Sequence, residues 1–221
     1  MKSTEKKYKK IEKTFLKYVD TATIKKVCEE TDKEPFVDVP KKMLVNDEPI
    51  QARITILEKL TAANKMLKKI NRNYQLKALD GYRPMEIQVK NFNETVKRLK
   101  QQLIGKTEIE FWEACHKQIA VPEVACHPTG GAVDVVIFDM QTEKPLDFGT
   151  EYCEWEAGHK LYYASPEISK LAKQNRKLLR RVMLKQGFLQ YMAEWWHFSY
   201  GDKEWAAARK KRKALYSQKN I

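Results

Sequence analysis

Two segments of the chain place ionisable residues where apolar ones belong. In Cys126-His127-Pro128-Thr129-Gly130-Gly131-Ala132-Val133-Asp134, the carboxylate of Asp134 falls inside the apolar run 132–138. Burying an unpaired carboxylate is expensive, so Asp134 requires a cation, a metal or several hydrogen-bond donors. The paired glycines permit a tight turn that returns His127 to its side. In Glu194-Trp195-Trp196-His197, an acid and an imidazole are wrapped in aromatics. Apolar surroundings raise a glutamate pKa, as a base working near neutral pH needs. Two histidines and one carboxylate leave a fourth zinc position open, the stoichiometry of a hydrolytic site. A glutamate outside the ligand set then takes the proton from the attacking water.

From the residues alone a second reading stands beside this one. A buried Asp is as often hydrogen-bonded to backbone as bound to metal, and a His on an apolar strand is commonly a satisfied core residue. Two such exceptions in one small domain favour a functional role. His116 and His159 have no comparable setting and are expected at the surface. Cys126 adjoins His127, but neighbours on an extended chain face opposite ways, so it is expected to pack.

Three motifs together carry a resemblance. Asp80-Gly81-Tyr82-Arg83-Pro84, then His127-x2-Gly-x-Ala-x-Asp134, then Glu194-Trp-Trp-His197 occur in this order. In order and spacing the set resembles the D-alanyl-D-alanine dipeptidases of the vancomycin-resistance type, within a wider group of zinc DD- and LD-peptidases. The clear likeness runs from about Leu76 to Tyr200, with a weaker one back to Phe36-Val37-Asp38-Val39. It implies that His127, Asp134 and His197 hold one zinc ion, that Glu194 is the base, and that Arg83 stabilises the oxyanion. Arg83 follows a strand end and a turn closed by Pro84, a rigid mount for a fixed positive charge. A spacing of three sets Glu194 and His197 on opposite faces of a straight strand, which predicts a bend or bulge between them.

The sequence departs from the family at two places. Where the family has Ser two residues before the first zinc His, this chain has Ala125. Where it has an Asp for the substrate ammonium, four residues after a Gly matching Gly149, this chain has Cys153. Glu151 and Glu154 lie nearby and are the expected substitutes.

These residues need elements to hold them. Ile54, Leu57, Leu60, Ala63, Leu67 and Ile70 recur at helical spacing, and the helix ends at Asn71-Arg72-Asn73. A strand over 75–79 leads into the Arg83 turn, and Pro84 is placed as the first residue of a helix carrying Ile87, Phe92, Val96, Leu99 and Leu103. Ser165-Pro166 predicts the start of a helix running to Lys185 and stopped by Gly187. Residues 188–192 and 195–200 read as a strand pair or one bent strand. The three prolines in 31–51 suggest an irregular wrap. Helices followed by short strands give an α+β fold: a small, mostly antiparallel sheet flanked by helices, the zinc site on the sheet, and basic helical ends.

The chain has 221 residues and a net charge of +13. Residues 1–17 carry seven lysines against Glu5 and Glu12, and 203–221 carry seven cations against Glu204, so 18–202 is only +2. The charge lies on two ends rather than on one face, which argues for solvated tails over a nucleic-acid surface. The division expected is a basic helical extension at 1–30, a peptidase domain at 31–202 and a basic tail at 203–221. An amphipathic helix is expected at 3–19. No run reaches the roughly 18 apolar residues of a membrane span, MKSTEKKYKK leads into no apolar signal segment, and four cysteines form no CxxC pair. A cytoplasmic zinc dipeptidase acting on D-Ala-D-Ala is the leading expectation. Its competitors are a zinc peptidase of the same group acting on another short peptide or a cell-wall LD- or DD-peptide, and a basic nucleic-acid- or surface-binding module with a structural metal.

Overall fold

The computed structural model describes residues 21–30, 33–105, 107–116 and 118–221. The amphipathic helix expected at 3–19 lies outside the described residues. In chain order the elements are α1 (Thr21–Lys25), β1 (Cys28–Glu29), β2 (Phe36–Asp38), β3 (Gln51–Arg53), α2 (Ile54–Ile70), β4 (Tyr74–Asp80) and α3 (Met85–Gln102). They continue with α4 (Glu108–His116), β5 (Ala132–Asp139), β6 (Lys144–Pro145), α5 (Lys170–Lys185), β7 (Leu189–Gln190), β8 (His197–Ser199), α6 (Lys203–Ala208) and β9 (Lys213–Ala214). Short 3-10 turns occupy Lys41–Met43, Pro122–Val124, His127–Thr129 and Trp155–Leu161.

Among the described residues the central sheet runs β4-β5-β8-β7, with β6 pairing the far end of β5, and every pair is antiparallel. This is the small antiparallel sheet that the sequence implied. Burial on both faces explains the continuous apolar run of β5. Val133, Val135 and Ile137 belong to the main core with Leu60 and Leu67 of α2 and Leu179 and Val182 of α5. Each such side chain contributes about 1.5–3 kcal/mol by leaving water.

Four local expectations change. The 31–51 stretch is less irregular than its prolines suggest, because β2 and β3 pair with Phe36 opposite Arg53. Pro84 is the N-cap of α3 rather than its first helical residue. Helix α5 begins at Lys170, not after Ser165-Pro166. Ser169 is the working cap: its Oγ accepts from Ala172 N at 2.9 Å and donates to Asp147 at 3.1 Å. The fourth change is at 203–221, which is not a solvated tail. Trp205, Ala206, Ala214 and Tyr216 are buried, and β9 pairs in parallel with β1. The apolar residues interleaved with the charges dock the segment, while Lys210, Lys211, Arg212 and Lys213 stay exposed. Gln218 donates to the carbonyls of Pro122 and Ala125, and Lys219 N donates to that of Pro128.

Candidate metal centre

Strand register sets the centre. Asp134 of β5 stands opposite Asp80 of β4 on one side and His197 of β8 on the other. Residues paired across strands share a face, so one row carries all three side chains. A register shift between Ala78 and Asp80 ends the β4 ladder there and begins the turn to Arg83.

His127 reaches this row from a 3-10 turn ahead of β5. The turn closes because Gly130 adopts φ +69, and a Cβ there would lie 2.3 Å from the Phe36 ring. Arg53, fully buried, holds the turn from below: its Nε donates to the Thr129 carbonyl at 2.8 Å and its N to that of Gly130 at 3.1 Å. The predicted bend before β8 is present, since His197 N turns back to the Glu194 carbonyl at 3.4 Å. Aromatic packing stiffens it. Trp195 stacks on Phe148 with centroids 4.2 Å apart, and Trp196 meets Tyr152 and Trp155 edge-on.

The resulting distances are those of a ligand set. His127 Nε2 is 3.2 Å from His197 Nδ1 and 3.6 Å from Asp134 Oδ1, and His197 Nδ1 is 2.9 Å from the same oxygen. A tetrahedral zinc with bonds of about 2.0–2.1 Å separates its ligand atoms by about 3.3–3.4 Å. His127 Nδ1 donates to the Gly81 carbonyl at 2.6 Å, which leaves the Nε2 lone pair aimed at the cluster. Tyr152 donates its hydroxyl to Asp134 Oδ2 at 3.0 Å and leaves Oδ1 for the centre. The three residues therefore fit a zinc ion, and together they are the one group of this kind among the described residues.

Charge is balanced around the cluster. Burial opposes ionisation of Asp134, yet the His127 and His197 imidazoles hold its carboxyl well below the usual range. Burial, reinforced by Asp134, pushes Glu194 well above the usual carboxylate range; its Oε2 lies 4.0 Å from His197 Nδ1. Burial works against the Arg83 charge, but Asp80 keeps it protonated through a 2.5 Å ion pair. Gln88 accepts from the other end of the same guanidinium at 2.9 Å.

His127, Asp134, His197, Glu194 and Arg83 all line one cavity of about 490 Å³, together with Ala125, Tyr152, Cys153 and residues of α3. Glu151 and Glu154 do not. Both are exposed, and the Glu154 carboxylate is spent on Glu151 N at 2.9 Å, closing a local turn. Cys153 does face the cavity, at φ +56, with its thiol pushed up to about 12 by burial. Cys126 is buried and its thiol donates to Glu204 at 3.6 Å. His159 is exposed, as expected. Sequence reasoning missed Tyr152, Asp80, Gln88 and Glu204. Only Asp80 left a local sign, three residues before Arg83.

The D-Ala-D-Ala dipeptidase family profile matches residues 39–216, further towards the C-terminus than the motifs alone. A D-alanyl-D-alanine dipeptidase of Synechocystis sp. is 30% identical over 179 residues, covering 72% of each chain. One from Enterococcus faecium is 28% identical over 132 residues, 58% of this chain and 63% of that one. Among solved structures, VanYB in complex with D-alanine-D-alanine superposes with TM-score 0.50 at 16% identity, covering 83% of this chain and 85% of that one. The LdcB LD-carboxypeptidase does so with TM-score 0.50 at 19% identity over 85% and 86%.

Proposed function

Because the chain belongs to the D-Ala-D-Ala dipeptidase family of zinc metallopeptidases (peptidase M15), we propose that it hydrolyses the dipeptide D-Ala-D-Ala at the His127–Asp134–His197 centre. One observation carries the reading: three converging donor atoms, a buried glutamate and a paired arginine open onto the same cavity. His127, Asp134 and His197 would hold a zinc ion, which when bound would supply a Lewis acid for the scissile carbonyl and lower the pKa of the attacking water.

The chain's own residues do the rest. Glu194, its basicity raised by burial, takes the proton of the attacking water and returns it to the leaving amine. Arg83 meets the negative charge that develops on the carbonyl oxygen, and Asp80 and Gln88 fix its fork in advance of the reaction. Tyr152 keeps the Asp134 carboxylate oriented. The aromatic wall of Trp155 and Trp196 limits water around the reacting bond. Four free thiols support a reducing, cytoplasmic setting. No described helix is long and apolar enough to cross a membrane.

A second reading, a related peptidase acting on a longer or different short peptide, is favoured by the cavity itself. It extends past the centre along α3 to Arg98 and Gln118, and Cys153 and Ala125 replace polar residues of the family pattern. Metal analysis combined with amine release from a panel of free, N-acetylated, D- and L-dipeptides tests both. Cleavage of free D-Ala-D-Ala above all others supports the first reading, and preference for a longer peptide supports the second. A metal-free protein that cleaves nothing in the panel overturns both.

A further inference from the structure

Outside the metal cluster, one buried acid is left short of hydrogen-bond partners. Glu204 of α6 is 8% exposed and lines the cavity beside Cys126 and Tyr191. Its Oε1 is buried without a hydrogen-bond partner among the described residues, and its Oε2 has only the Cys126 thiol at 3.6 Å. Asp202, two residues earlier, caps α6 through Oδ1, while its Oδ2 is also buried and unpartnered. The charge acting on Glu204 is therefore another carboxylate. A buried carboxylate in such a place is costly unless something cationic joins it. A purely structural residue would be cheaper as Gln or Leu.

We propose that Glu204 is a cation subsite of this cavity that takes the alkylammonium group of a peptide ligand. The cavity walls suit such a ligand, since Arg83 and Arg98 line it together with Glu204. Ammonium is matched in kind, since a compact charge with three donors can satisfy both oxygens of a carboxylate that the protein leaves short. Without ligand, burial and Asp202 push Glu204 up to about 8, so it stands as a neutral acid that releases its proton to solvent when the cation enters. This inference rests on the reading of the cavity as the peptide site. The ammonium has two sources in a peptide, its free amino terminus or a basic side chain.

Probes without a peptide bond separate the subsite from the chemistry. Calorimetric titration of the zinc-loaded full chain with n-butylammonium and n-butanol is expected to show at least tenfold tighter binding of the amine, about 1.4 kcal/mol. Glu204→Gln should lose that preference while binding butanol as before, and Glu204→Asp should keep part of it. Equal binding of amine and alcohol by the unmodified protein overturns the proposal even if Glu204→Gln fails to fold, and so does an unchanged preference in folded Glu204→Gln. Competition then identifies the source. Displacement by D-Ala-D-Ala but not its N-acetyl form assigns the amino terminus, and displacement by N-acetyl-D-Ala-D-Lys but not the norleucine analogue assigns a side chain. If the amine depends on Glu204 yet no peptide displaces it, the subsite stands and the peptide reading of the cavity falls.

Discussion

His127 and Gly81 are joined by a 2.6 Å hydrogen bond from Nδ1 to the carbonyl oxygen. Gly81 lies two residues before Arg83 in the turn after β4, so one bond fixes the tautomer of the imidazole and ties it to the arginine turn. Arg83 N donates back to the His127 carbonyl at 3.4 Å. The metal centre and the oxyanion group are held as one unit.

Removing any of His127, Asp134 or His197 by substitution with Ala should abolish tight zinc binding and hydrolysis together. Glu194→Ala should keep stoichiometric zinc and lose turnover, because it lies beside the ligand set. Metal analysis of the purified variants decides; a zinc-free Glu194→Ala would reverse the assigned roles.

Arg83→Ala is expected to reduce kcat by about 10²–10³, roughly 3–4 kcal/mol, with zinc content unchanged. Arg83→Lys should recover little, since a single ammonium cannot span both Asp80 and Gln88. Steady-state kinetics near the unmodified rate would place Arg83 outside the reaction.

Tyr152→Phe removes the one hydroxyl that bonds Asp134 Oδ2. Partners of this kind around a metal ligand are worth about 10–100-fold in affinity. Competition with a chelator should show zinc loss at correspondingly lower chelator concentration, and an unchanged affinity would make the hydroxyl incidental.

Glu204 makes the fold sensitive to alkali. Its folded pKa, about 8, lies above the usual 4.5, so between these values the native state holds the proton more often than the unfolded chain does. Its contribution to stability is full below about pH 4.5 and is lost as pH rises to about 8, by at most on the order of 5 kcal/mol. Denaturant titrations across this range should show a fall in Cm that Glu204→Gln flattens.

Thiol reactivity should divide the four cysteines. Cys28 is exposed, whereas burial raises the thiols of Cys115, Cys126 and Cys153, the last to about 12. Mass spectrometry after brief alkylation at neutral pH should find label at Cys28 and little at the other three.

What could be read from the sequence followed its local periodicities. The span 54–70 was legible because Leu60, Ala63 and Leu67 repeat at helical spacing and Asn71 breaks the pattern. Strand β5 was legible because 132–138 is apolar except for Asp134, and Asp134 and the Glu194–His197 bend because each violates its surroundings. The start of α5 was misplaced because Ser165-Pro166 and Ser169 are equally good caps on paper. Only the third-residue bond to Ala172 N and the reach to Asp147 distinguish them. Tyr152 and Glu204 were illegible for a different reason. Their partners, Asp134 and Cys126, lie 18 and 78 residues away, and no local pattern records that distance. The docking of 203–221 was hidden by its charge, because the run Arg209–Lys213 separates the apolar residues that anchor it.

That docking bears on the order in which the protein is made. A chain emerges N-terminal end first and folds as it emerges. The helices, β4, β5 and the ligand row through His197 can all assemble while later residues are still being synthesised. The carbonyls of Pro122, Ala125 and Pro128 on either side of His127 receive their donors from Gln218 and Lys219, and Arg53 gains the Tyr216 ring 5.0 Å away. The loop that presents His127 thus acquires its last restraints only when residue 219 has appeared. A nascent chain halted before that point would hold every ligand and still lack the finished centre.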